Sequence, residues 1–257
     1  LAKYFWICND CWPFEMERIF FSSNSHLCNS CFYCKNYRFN GPKHVTQHHF
    51  LSRIYSYSAS TIATCRSPKD ANELNAIGDI DVHALDVTDD KSVTTLADKL
   101  RGENIDILIN NAGVIGQRDG FGRIDYDIWA ETMDTNVFGP MRVAEAFRDN
   151  VMNSEKKQMI FITSRMGSIT EAVPNAYVYR SSKAALNMAV KCLSVELEQQ
   201  GLIAVLFHPG HVQTDMGGQA APVTPQKSIE GMKNQIVALT HDDNGRFLSY
   251  DGHQIPW

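Results

Sequence analysis

The stretch Ile105-Asp-Ile-Leu-Ile-Asn-Asn-Ala-Gly113 decides the fold, because an apolar run of strand length stops at two asparagines and a glycine. Short apolar runs bounded by turn residues are typical of strands that are buried on both faces. Such strands belong to parallel sheets whose faces are covered by helices. This stretch therefore predicts an internal strand with a polar turn at its carboxyl end.

The chain on either side of this stretch alternates between strand-like and helix-like segments. Strands are predicted at Thr61–Cys65, Asp81–Leu85, Gln158–Thr163 and Leu202–Phe207. Helical spacing of apolar residues predicts helices over Lys91–Leu100, around Trp129, over Met141–Val151 and over Tyr179–Gln199. Strands joined by helices form a parallel sheet through right-handed crossovers. We therefore predict an α/β fold, a Rossmann-type doubly wound parallel sheet with helices on both faces.

The sequence Tyr179-Arg-Ser-Ser-Lys183 places a phenol and an ammonium four residues apart on a predicted helix. That spacing puts both groups on one face, about one turn apart. A phenol with its ordinary pKa is a poor acid or base at neutral pH, and a neighbouring cation lowers that pKa. The pair predicts a tyrosine that exchanges protons, with a lysine that tunes it and can also hold a cofactor ribose.

Two further polar residues accompany this pair. Ser164 ends an apolar strand, where its hydroxyl can polarise a substrate carbonyl beside the tyrosine. Asn136 lies on an earlier helix, where its amide can anchor a water that links the lysine to solvent. Taken singly, Ser164 could instead cap a helix and Asn136 could be a buried, hydrogen-bonded amide. As an ordered set with the tyrosine and lysine, they favour a catalytic group at the carboxyl edge of the sheet.

The ordered motifs resemble those of the short-chain dehydrogenase/reductase family over about residues 61–257. The motifs that carry the resemblance are Asp86-Val87, Asn110-Asn-Ala-Gly113, Asn136, Ser164, Tyr179-x3-Lys183, and Pro209-Gly210 with Thr214. Within the family, a branch of C-factor and sniffer-like carbonyl reductases is similar at Ile62–Arg66, Ser164–Ser168, Tyr179–Asn187, His208–Met216 and Tyr250–Trp257.

The resemblance implies roles for particular residues. It implies a catalytic tetrad of Asn136, Ser164, Tyr179 and Lys183. It implies a nicotinamide dinucleotide with Asp86 and Val87 near the adenine, and with Val212 and Thr214 near the nicotinamide amide. The cofactor-binding set is then Arg66, Asp86, Val87, Asn110, Ala112, Gly113, Tyr179, Lys183, Val212 and Thr214. The resemblance also implies a homodimer formed through the helices at Met141–Val151 and Tyr179–Gln199.

Arg66 directly follows the strand after which the family reads the ribose 2′ position. Neither Thr64 nor Cys65 is acidic, so the carboxylate that usually binds a free 2′-hydroxyl is missing there. A guanidinium suits a 2′-phosphate. The alternative is a solvated surface arginine. We therefore expect NADP(H) in preference to NAD(H).

The first part of the chain departs from the family pattern. The family begins with a strand and a Thr-Gly-x-x-x-Gly-x-Gly turn that lies about thirty residues before the strand at Thr61–Cys65. Counting back from Ile62–Arg66 places Gly41 at the first glycine position of this turn. Val45 and Gln47 fall at the second and third glycine positions, where their side chains obstruct a phosphate. We therefore predict that the first strand and the glycine loop are missing or replaced. That leaves a gap in the family's 3-2-1-4-5-6-7 sheet, for which Cys31–Lys35 is a candidate substitute strand.

We accordingly divide the chain into residues 1–60, an atypical segment rich in cysteine, histidine and aromatic residues, and residues 61–257, the Rossmann-fold domain. Cys8-x2-Cys11 and Cys28-x2-Cys31 are sixteen residues apart, a spacing typical of paired zinc ligands. A surplus Cys34 and the lack of turn glycines speak against a zinc module. The other interpretation is a segment foreign to the domain, such as the product of a shifted reading frame or a misjoined exon. No metal site is expected in residues 61–257.

Composition excludes several classes of partner. A net charge of −5 argues against a nucleic acid or a membrane surface held by bulk electrostatics. No apolar run approaches the length that spans a bilayer. Leu1–Cys8 lacks the charged start and the long apolar run of a secretory signal, so we expect the reducing cytoplasm.

These observations predict an NADP(H)-dependent oxidoreductase that reduces a small carbonyl compound or oxidises the corresponding alcohol. Ile169–Ala176 and Asp215–Thr224 are expected to line its substrate pocket. The rival prediction is a catalytically impaired signalling or scaffold protein of C-factor type, which the missing glycine loop favours. A third is an N-terminal zinc-binding module fused to the reductase domain.

Overall fold

The computed structural model describes residues 3–7, 60–70, 80–214 and 216–257. Seven strands of these residues form one sheet in the order β3-β2-β1-β4-β5-β6-β7, and each neighbouring pair is parallel. The strands are β1 Lys3–Ile7, β2 Ser60–Cys65, β3 Ile80–Ala84, β4 Ile107–Asn110, β5 Gln158–Ile162, β6 Ile203–His208 and β7 Phe247–Ser249.

Six α-helices connect or cover the described strands. They are α1 Asp90–Lys99, α2 Tyr126–Met133, α3 Gly139–Ala146, α4 Arg148–Met152, α5 Tyr177–Glu196 and α6 Pro225–Ala238. A π-helix joins α2 to α3 at Asp134–Phe138, and short 3-10 helices lie at Pro68–Asp70, Arg165–Gly167, Glu198–Gln200 and His241–Asp243. In the described parts of the chain no helix is long and apolar enough to cross a membrane.

Helices lie on both faces of the sheet, because alternate strand residues contribute to two separate apolar clusters. Phe5 and Ile7 of β1 belong to the cluster that also contains Val93 of α1, Val143 of α3 and Leu186 of α5. The opposite face packs the sheet against α6. Its cluster holds Ile107, Ile109, Ile160, Val205, Phe207, Ile229, Met232 and Ile236, with Tyr4 and Trp6 of β1 against it. The predicted Rossmann-type doubly wound fold is confirmed.

The central strand corrects one part of the prediction. Lys3–Ile7 fills the place between β2 and β4, pairing Lys3 with Ser60 and Tyr4 with Ile107. The prediction that the first strand is missing was therefore wrong, and no gap separates the halves of the sheet. Counting back assumed the family's short connection, whereas residues 8–59 separate β1 from β2 here. The candidate substitute strand Cys31–Lys35 lies outside the described residues.

The remaining elements match their predicted places to within a few residues, with two additions. Helix α6 begins after Thr224, whose hydroxyl oxygen accepts a hydrogen bond from the Lys227 amide at 3.2 Å, and Pro225 stands in its first turn. Strand β7 extends the sheet beyond β6. Helix α6 packs against residues of β5 and β6, and β7 pairs with β6.

Candidate active site

The predicted catalytic residues converge at the carboxyl edge of the sheet. Asn110 is the last residue of β4, Ser164 follows β5 by two residues, and His208 ends β6. The first turns of α5 carry Tyr179 and Lys183 to the same edge. This is where a doubly wound sheet binds its ligands.

Tyr179 and Lys183 lie on adjacent turns and face one another. The Nζ atom of Lys183 lies 5.8 Å from the centroid of the Tyr179 ring. The same Nζ atom donates a hydrogen bond to the carbonyl oxygen of Ile162 at 3.0 Å, which fastens α5 to the end of β5. Tyr179 is 8% exposed and Lys183 4% exposed, so both groups are almost fully withdrawn from bulk water.

Burial changes the acidity of both groups. It raises the pKa of Tyr179 to about 12, although a hydrogen bond with Ser164 and the charge of Arg118 act in the opposite direction. It lowers the pKa of Lys183 to about 8, because a charged ammonium loses hydration there. The sequence predicted a lowered pKa for the tyrosine, and in this structure the pKa is raised instead. The loss of hydration outweighs the neighbouring groups that favour the phenolate.

Ser164 occupies the capping position that the sequence offered as the alternative to a catalytic role, and its hydroxyl also lies beside Tyr179. Its Oγ atom accepts a hydrogen bond from the Met166 amide at 3.2 Å and so caps the short helix Arg165–Gly167. The same side chain acts on the Tyr179 phenol as a polar neighbour that lowers its pKa against the effect of burial. The cap holds the hydroxyl in place, and that hydroxyl is buried beside the phenol.

Asn136 is completely buried within the π-helix Asp134–Phe138. Its Oδ1 atom accepts from the Val114 amide at 2.8 Å, and its Nδ2 atom donates to the Val114 carbonyl at 2.8 Å and to the Ser182 hydroxyl at 2.9 Å. The side chain therefore joins the turn after β4 to the catalytic helix α5. Both amide atoms bind protein groups, so the predicted role of this amide in holding a water is not visible here.

Two glycines allow the close approach of these elements. A Cβ atom on Gly113 would stand 3.3 Å from Asn136 Oδ1 and 3.4 Å from Lys183 Nζ. A Cβ atom on Gly167 would stand 2.8 Å from the backbone carbon of Lys183, closer than real Cβ contacts come. Gly167 therefore lets the turn that carries Ser164 lie directly on α5.

The residues that were predicted to lie near the adenosine end of a dinucleotide stand at the carboxyl ends of β2 and β3. Arg66 is exposed just beyond β2. Burial tends to raise the pKa of Asp86, but hydrogen bonds from Thr88 and the charge of Arg66 hold it below its usual range. Val87 is 1% exposed and packs against Gly139, on which a Cβ atom would stand 2.7 Å from Val87 Cγ2.

The side chain of Asn110, at the carboxyl end of β4, has polar atoms without a hydrogen-bond partner among the described residues. Asn110 is 2% exposed, and both polar atoms of its side chain lack a hydrogen-bond partner in the part of the chain that the structure describes. Its strand neighbour in β1 is Ile7, after which the nucleotide-binding turn of such folds begins. Ala112 is buried beside it. An orphaned amide here fits a bound polar group.

The sequence that follows Ile7 has no glycine-rich stretch to receive a phosphate. Between β1 and β2 the sequence contains a single glycine, Gly41, and this residue lies outside the described residues. The predicted absence of the glycine loop is thus a property of the sequence. The described residues fit a dinucleotide at its two ends, and the sequence lacks the glycines that would receive its pyrophosphate.

Two loops were expected to line the substrate pocket, and hydrogen bonds fix parts of both. At the start of one, Val212 and Thr214 are buried, and the Thr214 hydroxyl oxygen accepts a hydrogen bond from the Gly217 amide at 3.1 Å. In the other, Thr170 donates from its amide and its hydroxyl to the Trp257 carbonyl at 2.9 and 2.6 Å. These contacts hold both loops that were expected to line a substrate pocket. Asp215 lies outside the described residues.

Sequence reasoning missed two residues that contact the candidate tetrad or act on it. Ser182 donates to the Tyr179 carbonyl at 2.8 Å and accepts from Asn136. Arg118 acts through its charge on Tyr179, from a loop for which no motif gave a signal. Ser182 stands between Tyr179 and Lys183 in the motif, and its orientation inward follows only from the helix geometry.

A histidine is the commonest acid-base catalyst, and one stands at this edge of the sheet. Burial lowers the pKa of His208 to about 4, and the charges of Arg165 and His211 lower it further, against the opposite effect of Asp251. His208 is therefore neutral at pH 7, so the imidazolium that would act as a general acid is not present there. Within the described residues no cluster of histidine, cysteine and acidic side chains could hold a metal. The predicted zinc ligands Cys8, Cys11, Cys28 and Cys31 lie outside them.

Comparison with known proteins agrees with this geometry. A model of the family described as short chain dehydrogenase matches residues 49–223. The C-signal of Myxococcus xanthus is 44% identical over 154 residues, covering 60% of this chain and 93% of that protein. The predicted resemblance to the family and to its C-factor branch is confirmed.

Two solved carbonyl reductases have the same fold. The NADPH-bound carbonyl reductase from chicken fatty liver is 31% identical, with a TM-score of 0.72 over 81% of this chain and 93% of the other. The carbonyl reductase Sniffer of D. melanogaster gives a TM-score of 0.79 over 100% of both chains, at 23% identity, which shows the fold alone.

Proposed function

Because the chain belongs to the short-chain dehydrogenase family, we propose that it is an NADP(H)-dependent oxidoreductase that reduces a small carbonyl compound. The observation that carries the proposal is the grouping of Tyr179, Lys183 and Ser164 at the carboxyl edge of β5. The solved relative that binds NADPH and is described as a carbonyl reductase supports the same reaction class.

Tyr179 is the proton donor in this proposal. A pKa of about 12 keeps its hydroxyl protonated throughout the physiological range. A developing alkoxide is a stronger base than a phenolate, so proton transfer from Tyr179 to the substrate oxygen is favourable. When bound, a reduced nicotinamide supplies the hydride that the carbonyl carbon receives.

Lys183 and Ser164 prepare the site for that proton transfer. The ammonium of Lys183, with a pKa of about 8, is mostly charged at neutral pH and stabilises the phenolate that remains. The Ser164 hydroxyl, held by its cap, orients the carbonyl oxygen toward the phenol. Asn136 acts indirectly, because it holds the turn after β4 against α5.

The cofactor is held, in this proposal, by residues at the ends of β2, β3, β4 and β6. Arg66 pairs with a 2′-phosphate, and Asp86 and Val87 lie against the adenine. The unpaired Asn110 amide, Ala112 and Gly113 receive the middle of the molecule. Val212, Thr214, Tyr179 and Lys183 hold the nicotinamide riboside. Support comes from the exposure of Arg66 and from the orphaned amide of Asn110.

A binding and turnover assay on the full chain tests the function. NADPH and NADH are titrated against intrinsic fluorescence, and NADPH oxidation is followed with a panel of aldehydes, diketones and quinones. We expect NADPH to bind more tightly than NADH and at least one carbonyl to be reduced. If neither dinucleotide binds, the oxidoreductase proposal fails.

One observation favours a second candidate, a signalling or scaffold protein on the same fold. The sequence lacks the glycines that receive a dinucleotide pyrophosphate, and the chain is similar to a protein named C-signal. This candidate requires a folded chain that binds neither NADPH nor NADH. The same titration therefore decides between the two candidates.

We further propose a homodimer formed in part through α5. Met188 is 64% exposed and Val195 61% exposed, and their spacing of seven places both on one face of the helix. Light scattering is expected to give twice the mass of the chain, and Met188→Glu is expected to return the mass to that of one chain. A single-chain mass for the unaltered protein contradicts the dimer.

A further inference from the structure

A guanidinium group bridges the two loops in front of the candidate site. Arg118 lies on the loop between β4 and α2, and its Nη2 atom donates a hydrogen bond to the Met216 carbonyl at 2.9 Å. The two residues are 98 positions apart in the sequence, and Met216 follows the Thr214 turn. Arg118 is exposed, so this bridge stands at the solvent side of the site.

The backbone of the same loop is seated on the start of the catalytic helix. The Ala176 amide donates to the Arg118 carbonyl at 3.4 Å, and a Cβ atom on Gly120 would stand 2.9 Å from Asn175 Oδ1. Asn175 and Ala176 have φ values of 75° and 54°, a left-handed conformation that non-glycine residues rarely adopt. Strained backbone of this kind often marks a functional site, and here it lies directly before α5.

The charge of Arg118 is not neutralised by another described side chain. Two acidic residues among the described parts of these loops have other partners: Asp119 pairs with Arg123 at 3.7 Å and Glu171 with Arg165 at 2.8 Å. A guanidinium has five N–H donors in a planar fork, and the bond to Met216 uses one of them. Arg118 therefore retains donors in the geometry that binds a carboxylate.

This guanidinium also lies within electrostatic range of the reacting group. Its positive charge opposes the effect of burial on the pKa of the Tyr179 phenol. When the carbonyl oxygen of a substrate is placed to receive the tyrosine proton, the part of the substrate nearer to solvent would lie close to the positive charge of Arg118. Such a charge favours a negatively charged substituent.

We propose that Arg118 binds a carboxylate of the substrate, so that the preferred substrates are carbonyl compounds carrying a carboxylate on the solvent side of the reacting carbonyl. This inference rests on the proposed reductase function, because it names the substrate class of the same site. Arg118 is then a specificity-determining residue that discriminates acids from their neutral esters.

Matched substrates test the proposal. The three positional isomers of carboxybenzaldehyde and their methyl esters differ in charge and in the distance from carbonyl to carboxylate. We expect at least one acid to exceed its ester in kcat/KM by about tenfold or more, as one charge-assisted hydrogen bond allows. Arg118→Gln is expected to abolish that preference, so that each acid falls to the rate of its own ester in the same variant, and Arg118→Lys to retain part of it.

Three outcomes overturn the proposal. The first is that the esters react as well as the acids. The second is that Arg118→Gln lowers kcat/KM equally for acid and ester, because that result is expected if Arg118 only connects the two loops. The third is that a control variant reproduces the loss. Arg123→Gln removes a charge from the same loop, and Asp215→Asn removes an acid next to Met216 in the sequence. Both are expected to leave the preference intact.

Binding to a Tyr179→Phe variant separates this proposal from the reductase function itself. The acids and esters are titrated as ligands against that variant with intrinsic fluorescence, so no turnover is needed. Tighter binding of an acid, lost in the Tyr179→Phe/Arg118→Gln double variant, supports the anion site even if no reduction is observed. Equal binding of acid and ester overturns it, even if the esters are reduced.

Discussion

The ammonium of Lys183 lies 5.8 Å from the ring centroid of Tyr179, and the same ammonium is bonded to the last residue of β5. Ser164, two residues beyond that strand, lies beside the phenol and lowers its pKa against the effect of burial. Strand β5 and helix α5 therefore hold a proton donor, a cation and a hydroxyl as one unit. The chemistry that we propose depends on the mutual position of these three groups.

The first prediction concerns pH. Lys183 loses its charge as pH rises through its pKa of about 8, whereas Tyr179 keeps its proton until about 12. A plot of kcat/KM for carbonyl reduction reports groups of the free enzyme, and it should fall as pH rises past about 8. The decline thus follows the lysine and not the tyrosine. A rate that stays constant up to pH values near the pKa of Tyr179 would contradict this assignment.

The second prediction concerns Gly167. Gly167→Ala forces the turn that carries Ser164 away from α5, because the new Cβ atom would stand 2.8 Å from the Lys183 backbone. Overpacking of this kind costs about 1–3 kcal/mol of stability. We expect a lower melting temperature and a clear loss of kcat in protein that still folds. An alanine variant with unaltered kcat would show that the turn can move without disturbing the site.

The third prediction concerns cofactor choice. Arg66→Ala removes the group that is proposed to bind the 2′-phosphate, and one charge-assisted hydrogen bond corresponds to about 10- to 100-fold in affinity. Fluorescence titration should show weaker NADPH binding and little change for NADH. Arg101→Ala is the control, because Arg101 is 80% exposed and pairs with Asp98. Equal weakening of both dinucleotides would argue against a phosphate contact.

The fourth prediction concerns Asn136. Asn136→Ala removes the partner of two part-buried backbone groups of Val114 and one partner of the buried Ser182 hydroxyl. Each buried unsatisfied group costs about 1–3 kcal/mol. Thermal unfolding should therefore occur at a lower temperature than in Asn153→Ala, a change at an exposed asparagine. If both variants have the same melting temperature, the hydrogen bonds by which Asn136 joins the β4 turn to α5 do not contribute to stability.

The sequence predicted most of the sheet because each buried strand is short, apolar and stopped by polar turn residues. It did not predict β1, since Lys3–Ile7 is separated from β2 by residues 8–59 and the count of residues assumed a shorter connection. Helix α6 had a readable signal in Thr224-Pro225 and in the spacing of Ile229, Met232 and Ile236. That signal was not used.

The sequence named the four residues of the candidate tetrad, but it did not predict the direction in which the pKa of Tyr179 is shifted. Ser164, Asn136, Tyr179 and Lys183 follow from ordered motifs, because the proposed chemistry requires those residue types near the carboxyl edge of the sheet. Whether burial or a neighbouring charge controls the pKa of Tyr179 depends on packing depth, which spacing alone does not give. Arg118 likewise became visible only when folding brought its loop against Met216.

The most direct test of the central claim is carbonyl reduction by Tyr179→Phe, compared with Tyr126→Phe as a matched control at a 73% exposed tyrosine. Removal of a general acid costs about 100- to 10,000-fold in rate. We predict that kcat/KM falls by that factor in Tyr179→Phe alone, with circular dichroism unchanged in both variants. A Tyr179→Phe protein that reduces its substrate at the rate of the unaltered chain would contradict the account.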